Sequence, residues 1–473
     1  MQSGLTVVLD VGKTLTKLSL WGPSGVVVVR ESRPNQRVDA GRYAALDVEG
    51  VEAWVASVLK EFARQGRISR IVPVGHGAAF AVLRRGALAC PPPDYEEPPP
   101  QAIGQAYDQA RDAFALTGSP RLPNGLNFGV QLAWLQALHP DLLDDDAVIV
   151  TWPQYWAWVF SGVAASEVTS LGCHSDLWRP IEGRASELAQ ARGWASRLAP
   201  LRRAGEVLGV VRPSWAERTG LPADTEVHVG LHDSNAALLA ARGFVEIADH
   251  ESTVLSTGTW FVGMRSAADR STVDLGALPE ARDCLVNVDA YGAPIPSARF
   301  MGGREVELLS GIDTRRIDIK PDQPLLLAAA DEVVRAGARV LPTMTRGVGP
   351  FPNGHGRWIA MPTDPVERRS AVCLYLAMTA HASLGLIGAR ERIVVEGRFA
   401  EAQVFVRALA SLRPADAIYV SNAEHDVSYG ALRLLDPERR PLSSLTRVKP
   451  LEVDLRDYAQ QWEREAQRIE AAA

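Results

Sequence analysis

The sequence predicts a layered α/β fold in two domains, on three observations. Its 473 residues exceed what one hydrophobic core organises, so two domains of roughly 200 residues or a little more are expected. An antiparallel meander opens the chain and leads into an amphipathic helix and a further strand, the pattern of a mixed sheet with a helical crossover. A second strand–turn–strand unit stands 246 residues downstream, Gly258 against Gly12, and indicates a duplication on the scale of whole domains. The boundary is placed at Gly243, giving domains 1–243 and 244–473.

The elements follow from local pattern. Thr6–Leu9 is an apolar strand, Asp10–Thr14 a turn, Leu15–Trp21 the returning strand, and "GPSG" a second turn into Val26–Arg30. Val51, Trp54, Val55, Val58, Leu59 and Phe62 recur at helical spacing and form one apolar face. The strand Ile71–Val74 ends in Gly75-His76-Gly77. "CPPPDYEEPPP" (90–100) can join neither a helix nor a central strand; it reads as a stiff connector or as a rigid holder of Asp94-Tyr95-Glu96-Glu97 at the mouth of a site. "TWPQYWAWVF" (151–160) carries three of the twelve tryptophans and reads as a core helix. Glu226–Val229 is a strand, followed by Asp233 at a helix start. In the second half, Ser252–Leu255 runs through Ser256-Thr257-Gly258-Thr259 into Trp260–Met264. Arg392–Val395 then reaches a third glycine turn, Glu396-Gly397-Arg398, before a helix through Phe405 and Leu409. After the last strand, Ala417–Val420, Gly430 and Ala431 give a helix a face small enough to approach another backbone closely.

Bulk properties exclude several classes. With 47% hydrophobic and 22% charged residues the composition is that of an ordinary globular protein, and a net charge of −6 offers nothing to nucleic acid or an anionic membrane. Cys90, Cys173, Cys284 and Cys373 lie far apart without metal-ligand spacing and read as reduced core thiols. The N-terminus lacks a charged-then-apolar signal, since Asp10 interrupts the first apolar run. Ala371–Ala389 is free of charge for 19 residues but carries Thr379, His381, Ser383 and two glycines, so it reads as a helix buried on all sides. A soluble, cytoplasmic protein is expected.

The chemistry concentrates at the turns. Gly12-Lys13-Thr14 resembles the end of a P-loop, but that motif needs a glycine five positions earlier, where Val7 stands inside a strand. Phosphates can also be cradled by tight turns that present backbone N–H groups, hydroxyls and a cation, with an acidic side chain to place Mg²⁺ through water. Asp10, Gly12, Lys13, Thr14 and Lys17 supply these groups at the first turn, and Thr257, Gly258 and Thr259 at the second. Asp233 in "EVHVGLHDSNAALLAARG" has two readings: the N-cap of its helix, or a carboxylate facing a crevice at a strand end, where it accepts a proton from an attacking hydroxyl.

With these stretches in order along the chain, the sequence resembles the FGGY family of carbohydrate kinases. "LDVGKTLTKL" is similar to that family's first phosphate motif, "GLHDSNAALLA" to its catalytic Asp motif and "LSTGTWFVG" to its second phosphate motif. "IVVEGRFAEAQVFVRALASL" is similar to its adenosine segment and "SYGALRLL" to its closing helix. The resemblance implies two actin-like (ribonuclease H-like) domains of the actin/hexokinase/Hsp70 ATPase superfamily with an interdomain cleft, and ATP and Mg²⁺ as cofactors. It implies Asp233 as catalytic base; Gly12, Lys13, Thr14, Lys17, Thr257, Gly258, Thr259, Gly397 and Arg398 at ATP; and Asp10 and Asp233 at the metal. His76, Gly77, His232, Asp233 and Asn287 would hold the sugar, Asn287 reaching it from the second half, while Gln131 and Gln154 read better as packing residues than as contacts. The His-Asp pair, Gly75-His76-Gly77 and "ARFMGGRE" (298–305) lean towards L-rhamnulose and L-fuculose kinases. The implied partner is a small sugar, and a homodimer is compatible with the family. Two departures stand out: one glycine instead of two or three in Glu396-Gly397-Arg398, and Lys13 in place of a small residue. The first supports the alternative of a catalytically weak or regulatory sugar or nucleotide sensor on the same fold.

Overall fold

The computed structural model describes residues 4–144, 146–313, 318–421 and 427–472. The chain forms two compact units: unit 1 is Met1–Gly243 with Val286–Pro294 and His425–Arg439, and unit 2 is Phe244–Leu285 with Ile295–Glu424 and Arg440–Ala473. Two segments of the 244–473 half therefore group with unit 1, for visible reasons. Val286 donates its N–H to Gly118 O at 2.8 Å, and Gly172 lacks the Cβ that would collide with Val288. The helix Val427–Leu435 lies so close to the helix that follows Asp233 that a Cβ on Gly430 would overlap the Ala236 carbonyl oxygen. The small face at Gly430 thus serves close helix packing.

In unit 1, β1 (Leu5–Val11), β2 (Leu15–Trp21) and β3 (Val27–Pro34) form the meander. β1 is apolar almost throughout because both of its faces are covered, whereas β3 alternates between half-buried and exposed, as an outer strand should. Helix α1 (Val48–Phe62) is capped by Asp47, whose carboxylate accepts from Gly50 N at 2.8 Å, and it buries Val51, Val55, Leu59 and Phe62. β4 (Ile68–Gly75) returns parallel to β1, β5 (Val207–Val210) and β6 (Glu226–His228) complete the order β5-β6-β4-β1-β2-β3, and α2 (Asp233–Ala241) follows. Trp152–Ser161 is a buried helix in the core beside this sheet.

Unit 2 repeats the plan with β7 (Ser252–Thr257), β8 (Phe261–Ser266), β9 (Pro294–Phe300), α3 (Gly302–Ser310), α4 (Pro365–Leu386), β10 (Arg392–Gly397), α5 (Gln403–Leu412), β11 (Ala417–Val420) and β12 (Thr446–Arg447). Its order β12-β11-β10-β7-β8-β9 matches unit 1 strand for strand: antiparallel, parallel, parallel, antiparallel, antiparallel. A further strand, Cys284–Val288, lies beyond β9. The uncharged stretch from Ala371 lies mostly in α4, which Asp364 caps and which packs against the helix Gln323–Arg335 and α5. Among the described residues no helix is long and apolar enough to cross a membrane.

Candidate active site

Asp10, Gly12, Lys13, Thr14, Lys17, His76, Gly77, His232, Asp233 and Asn287 fall in unit 1; Thr257, Gly258, Thr259, Gly397 and Arg398 fall in unit 2. The unit 1 set gathers because parallel strands end together. Asp10 and Val11 of β1 lie opposite Val74 and Gly75 of β4, and Leu231 and His232 pair with the same two residues. The C-terminal ends of the strands therefore deliver Asp10, His76 and Asp233 to one edge of the sheet, the edge where α/β folds bind ligands.

The first turn is built on backbone. Gly12 N donates to Leu15 O at 3.1 Å, and Asn35 wraps the loop: its N–H donates to Thr14 O at 2.8 Å, its amide to Gly12 O at 2.7 Å, and its side-chain oxygen accepts from Thr16 Oγ1 at 2.7 Å. Asp10 is buried, with Lys17 Nζ 3.7 Å from its carboxylate. Lys13, expected at phosphate, has its ammonium on the Asp94 carboxylate, 3.5 Å from Glu96 Oε2 and 4.9 Å from the centre of the Tyr95 ring. Thr14 is exposed.

Asp233 is the first residue of α2, and the cap position before it belongs to His232. Its carboxylate accepts from Ser234 N at 2.6 Å and lies 3.1 Å from His232 Nε2, with 27% of the side chain exposed. Asn235 Nδ2 stands 3.3 Å from His232 Nδ1. An amide nitrogen can only donate, so Nδ1 is the acceptor and the ring proton sits on Nε2, which lies 3.5 Å from Cys173 Sγ as well as 3.1 Å from the Asp233 carboxylate. Burial pushes the His232 pKa down to about 4, so this imidazole is neutral at ordinary pH. His76 is lowered by burial too, and its Nδ1 donates to Gly77 O at 2.6 Å, which leaves Nε2 as the acceptor. Burial raises the Asp233 pKa above the usual carboxylate value, opposed by His76, the Ser234 bonds and Lys17. Gly77 has no room for a side chain: a Cβ would stand 2.5 Å from Cys173 Sγ and 3.1 Å from His232 Nε2. Asn287 is buried within the segment Val286–Pro294, which groups with unit 1 rather than with the second half to which the sequence assigns it.

In unit 2, Gly258 N donates to Trp260 O at 3.0 Å, closing the β7–β8 turn, and Thr259 is exposed. Thr257 and Gly397 are register partners in β7 and β10. The Thr257 hydroxyl is committed to the third turn, donating to Glu396 O at 2.5 Å and accepting from Phe399 N at 3.0 Å. Gly397 adopts φ +82°, ψ −167°, a conformation closed to side chains, and Arg398 opens a short 3₁₀ helix. Burial raises the Glu396 carboxyl to about 7, against a hydrogen bond from Ser256. Gly302 and Gly303, part of "ARFMGGRE", have a packing role: a Cβ on Gly303 would overlap the Gly258 carbonyl oxygen, and one on Gly302 would stand 2.8 Å from the Phe261 ring.

Several residues have no sequence signal of their own. Glu167, fully buried, caps the helix Val168–Leu171 and accepts from the Thr169 hydroxyl, which in turn accepts from His232 N at 2.9 Å. Asn35 and Asn235 were readable only as polar residues near a motif. Gln154 gives its amide to Gly230 O at 3.0 Å and Val229 O at 3.2 Å, and Gln131 gives its own to Ala78 O at 2.7 Å and to Gly125 O, so both tie backbone segments together. Trp152, in the tryptophan-rich helix, has its ring 6.0 Å from His76 and donates to Val11 O at 3.2 Å.

The repeated sheet, with a glycine turn closing the central hairpin of each unit, defines an α/β protein of the actin-like ATPase fold. Xylulose kinase from Rhodospirillum rubrum has the same fold, with a TM-score of 0.75 at 18% identity over 99% of this chain and 98% of that one. Residues 249–442 match the C-terminal domain of carbohydrate kinase FGGY. A carbohydrate kinase of known crystal structure from Novosphingobium aromaticivorans is 56% identical, with a TM-score of 0.94, covering 97% of this chain and 100% of that one. The chain belongs to the FGGY family of carbohydrate kinases. L-fuculokinase from Salmonella typhi is 25% identical over 303 residues, 59% of this chain and 60% of that enzyme, so the chain matches less than two thirds of the fuculokinase. Among the described residues no group of three or more His, Cys, Asp or Glu side chains is arranged to hold a metal ion by itself.

Proposed function

We propose that this carbohydrate kinase transfers the γ-phosphoryl group of ATP to a hydroxyl of a ketose or deoxyketose of the rhamnulose or fuculose kind. The observation that carries the reading is Asp233. Its carboxylate stands at the end of a sheet edge, held by Ser234 N at 2.6 Å, with Nε2 of the neutral His232 3.1 Å away. Asp233 accepts the proton of the sugar hydroxyl as that oxygen bonds to the γ-phosphorus and the bond to the ADP oxygen breaks. The hydroxyl becomes acidic only as it attacks, so an ordinary or modestly raised carboxylate pKa suffices. Ser234 keeps one carboxylate oxygen in place with His232 beside it, and His76, with Nε2 as acceptor, receives a second sugar hydroxyl. Gly77, without a side chain, lets Cys173 and His232 close in beside it, and Asn287 adds a further polar contact.

Each unit supplies a phosphate-binding turn: Gly12 and Thr14 with Lys17 in unit 1, and Gly258 and Thr259 in unit 2, where Thr257 ties the turn to the third one, while Gly397 and Arg398 receive the adenosine. A phosphate-bound Mg²⁺ keeps several waters and needs only one or two protein carboxylates, so the donor set of Asp10 with Asp233 fits it. When bound, the ion neutralises charge on the phosphates. Asp10 itself is held at the end of β1 and balanced by Lys17 at 3.7 Å. The likeness to L-fuculokinase favours a deoxyketose as acceptor.

A coupled ADP-release assay over rhamnulose, fuculose, xylulose, ribulose and tetritols tests the reading. Saturable, sugar-dependent ADP release is expected, and Asp233→Asn should abolish it while ATP still binds. Normal turnover by that variant would refute the base assignment.

A further inference from the structure

On the kinase reading above, we propose that Tyr95 forms a wall of the sugar site and that Lys13 holds it there, acting on sugar affinity and not on the phosphates. Lys13 follows Gly12 in the first turn, yet its ammonium is spent on the proline-flanked segment 93–97. It bonds to Asp94, lies 3.5 Å from Glu96 Oε2 and stands 4.9 Å from the centre of the Tyr95 ring. The Asp94 side chain is fully buried, and Arg37 Nε approaches the same carboxylate oxygen at 3.2 Å. A buried carboxylate between two cations is costly to uncover, so withdrawing Lys13 towards phosphate would leave Asp94 under-compensated. The resting partner of Lys13 is therefore the loop.

The loop around Tyr95 is fixed on both sides. Asp94 N donates to Ala44 O at 2.9 Å, Glu96 N to Asp94 Oδ1 at 2.8 Å, and Gly125 N to Tyr95 O at 2.9 Å. Held this way, the Tyr95 ring meets His76 edge-on, with ring centres 5.5 Å apart at 75°. The phenol is pushed above its ordinary pKa by burial, then by Glu96, Asp94 and Asp233, so it shares the electrostatic surroundings of the proposed base. An aromatic ring beside His76, with the Asp233 carboxylate close enough to act on its phenol, suits a sugar, whose C–H faces pack on rings while its hydroxyls find acceptors. The prolines on either side, at 91–93 and 98–100, keep the loop from relaxing when the site is empty.

The test measures KM for ATP and for the best acceptor of the sugar panel in Tyr95→Ala, Lys13→Met and the double variant. Tyr95→Ala should raise the sugar KM about tenfold, and Lys13→Met about threefold, with the ATP KM within about twofold of wild type in both. Because Lys13 acts through Tyr95, the double variant should be no worse than Tyr95→Ala alone. Arg37 still compensates Asp94 in Lys13→Met, so that variant is expected to fold, and the split between the two KM values reports on site geometry and not on folded fraction. An ATP KM raised about tenfold in Lys13→Met with the sugar KM unchanged would make Lys13 a phosphate ligand and overturn the proposal. So would an unchanged sugar KM in Tyr95→Ala. Absence of sugar-dependent ADP release in the wild-type protein would overturn the kinase reading itself and this assignment with it, whereas an active wild type with unaffected variants overturns only the assignment.

Discussion

Gly397→Ala isolates what the third turn requires. Gly397 is the single glycine where two or three were expected, and it occupies φ +82°, ψ −167°. A residue with a side chain is strained there by about 1–3 kcal/mol. A Cβ would also overlap the Thr257 carbonyl oxygen and stand 3.1 Å from its carbon, backbone that cannot move without disturbing β7. Such overpacking adds about 1–3 kcal/mol. The combined cost of about 2–6 kcal/mol falls on a unit of roughly 200 residues, where each kcal/mol shifts Tm by about 2–4 °C. Thermal unfolding of Gly397→Ala should therefore begin about 5–20 °C below wild type. Gly258→Ala is the matched control, since the nearest atom to its Cβ is Trp260 O at 3.8 Å and no unusual φ is needed. It should unfold within about 1 °C of wild type yet raise the ATP KM, because the added methyl would stand where the proposed phosphate site meets the turn. Wild-type melting of Gly397→Ala would refute the steric argument. An unchanged ATP KM in Gly258→Ala would remove the turn from the phosphate site.

Three further outcomes follow from the site. Asn235→Leu removes the donor to His232 Nδ1 and frees the ring to change tautomer, so kcat should fall more than the ATP KM changes; a kcat equal to wild type counts against the tautomer lock. Lys17→Met deletes a cation that lowers the Asp233 pKa, and since the base must be ionised, the acid limb of the kcat/KM profile should move to higher pH; an unmoved limb would separate Lys17 from Asp233. For Glu167, burial raises the carboxyl from 4.5 to about 7, so the folded state keeps a proton that the unfolded chain has released. Stability contributed by this group is then present at low pH and lost as pH rises through that window, by about 3 kcal/mol. Denaturant titrations at about pH 5 and about pH 8 should show that loss in wild type and its absence in Glu167→Gln; parallel behaviour of the two proteins would rule it out.

What could be read in advance was whatever depends on short-range pattern. The apolar run of β1, the helical spacing from Val51 to Phe62 and the glycine turns at 12, 258 and 397 each involve residues within one or two turns of chain. The small face at Gly430 was visible as well, though its partner, Ala236, was not. Long-range pairing was illegible. Lys13 and Asp94 are 81 residues apart, so a cation beside a phosphate-like turn looked committed to phosphate when its charge is balanced by a distant loop. Thr257 looked like a hydroxyl offered to ligand, but the Glu396 carbonyl that takes its proton lies 139 residues away. The return of Val286–Pro294 to unit 1 depends on a backbone bond to Gly118 and on the missing Cβ of Gly172, neither of which has a local signature.

The duplicated sheet carries an unequal division of labour. Both units close the hairpin of their central strands with a glycine turn, and each turn is shaped by groups of its own unit: Asn35 around Gly12, and Gly303 against Gly258. Turns shaped in this way need little rearrangement on binding, which is how backbone donors become useful to an anion. The charges are not duplicated, however. Asp10, Lys13, Lys17 and Asp233 all belong to unit 1, while the second turn offers Ser256, Thr257, Gly258 and Thr259, all neutral. Proton transfer needs a titratable group with tuned surroundings, and the one proposed for it, the histidine-flanked Asp233, belongs to unit 1. On the proposed reading a phosphate chain is met by backbone and hydroxyls, which the Gly258 turn offers without a charge of its own. Substitutions in the unit 2 turns should therefore change the ATP KM first, and those around Asp233 should change kcat first.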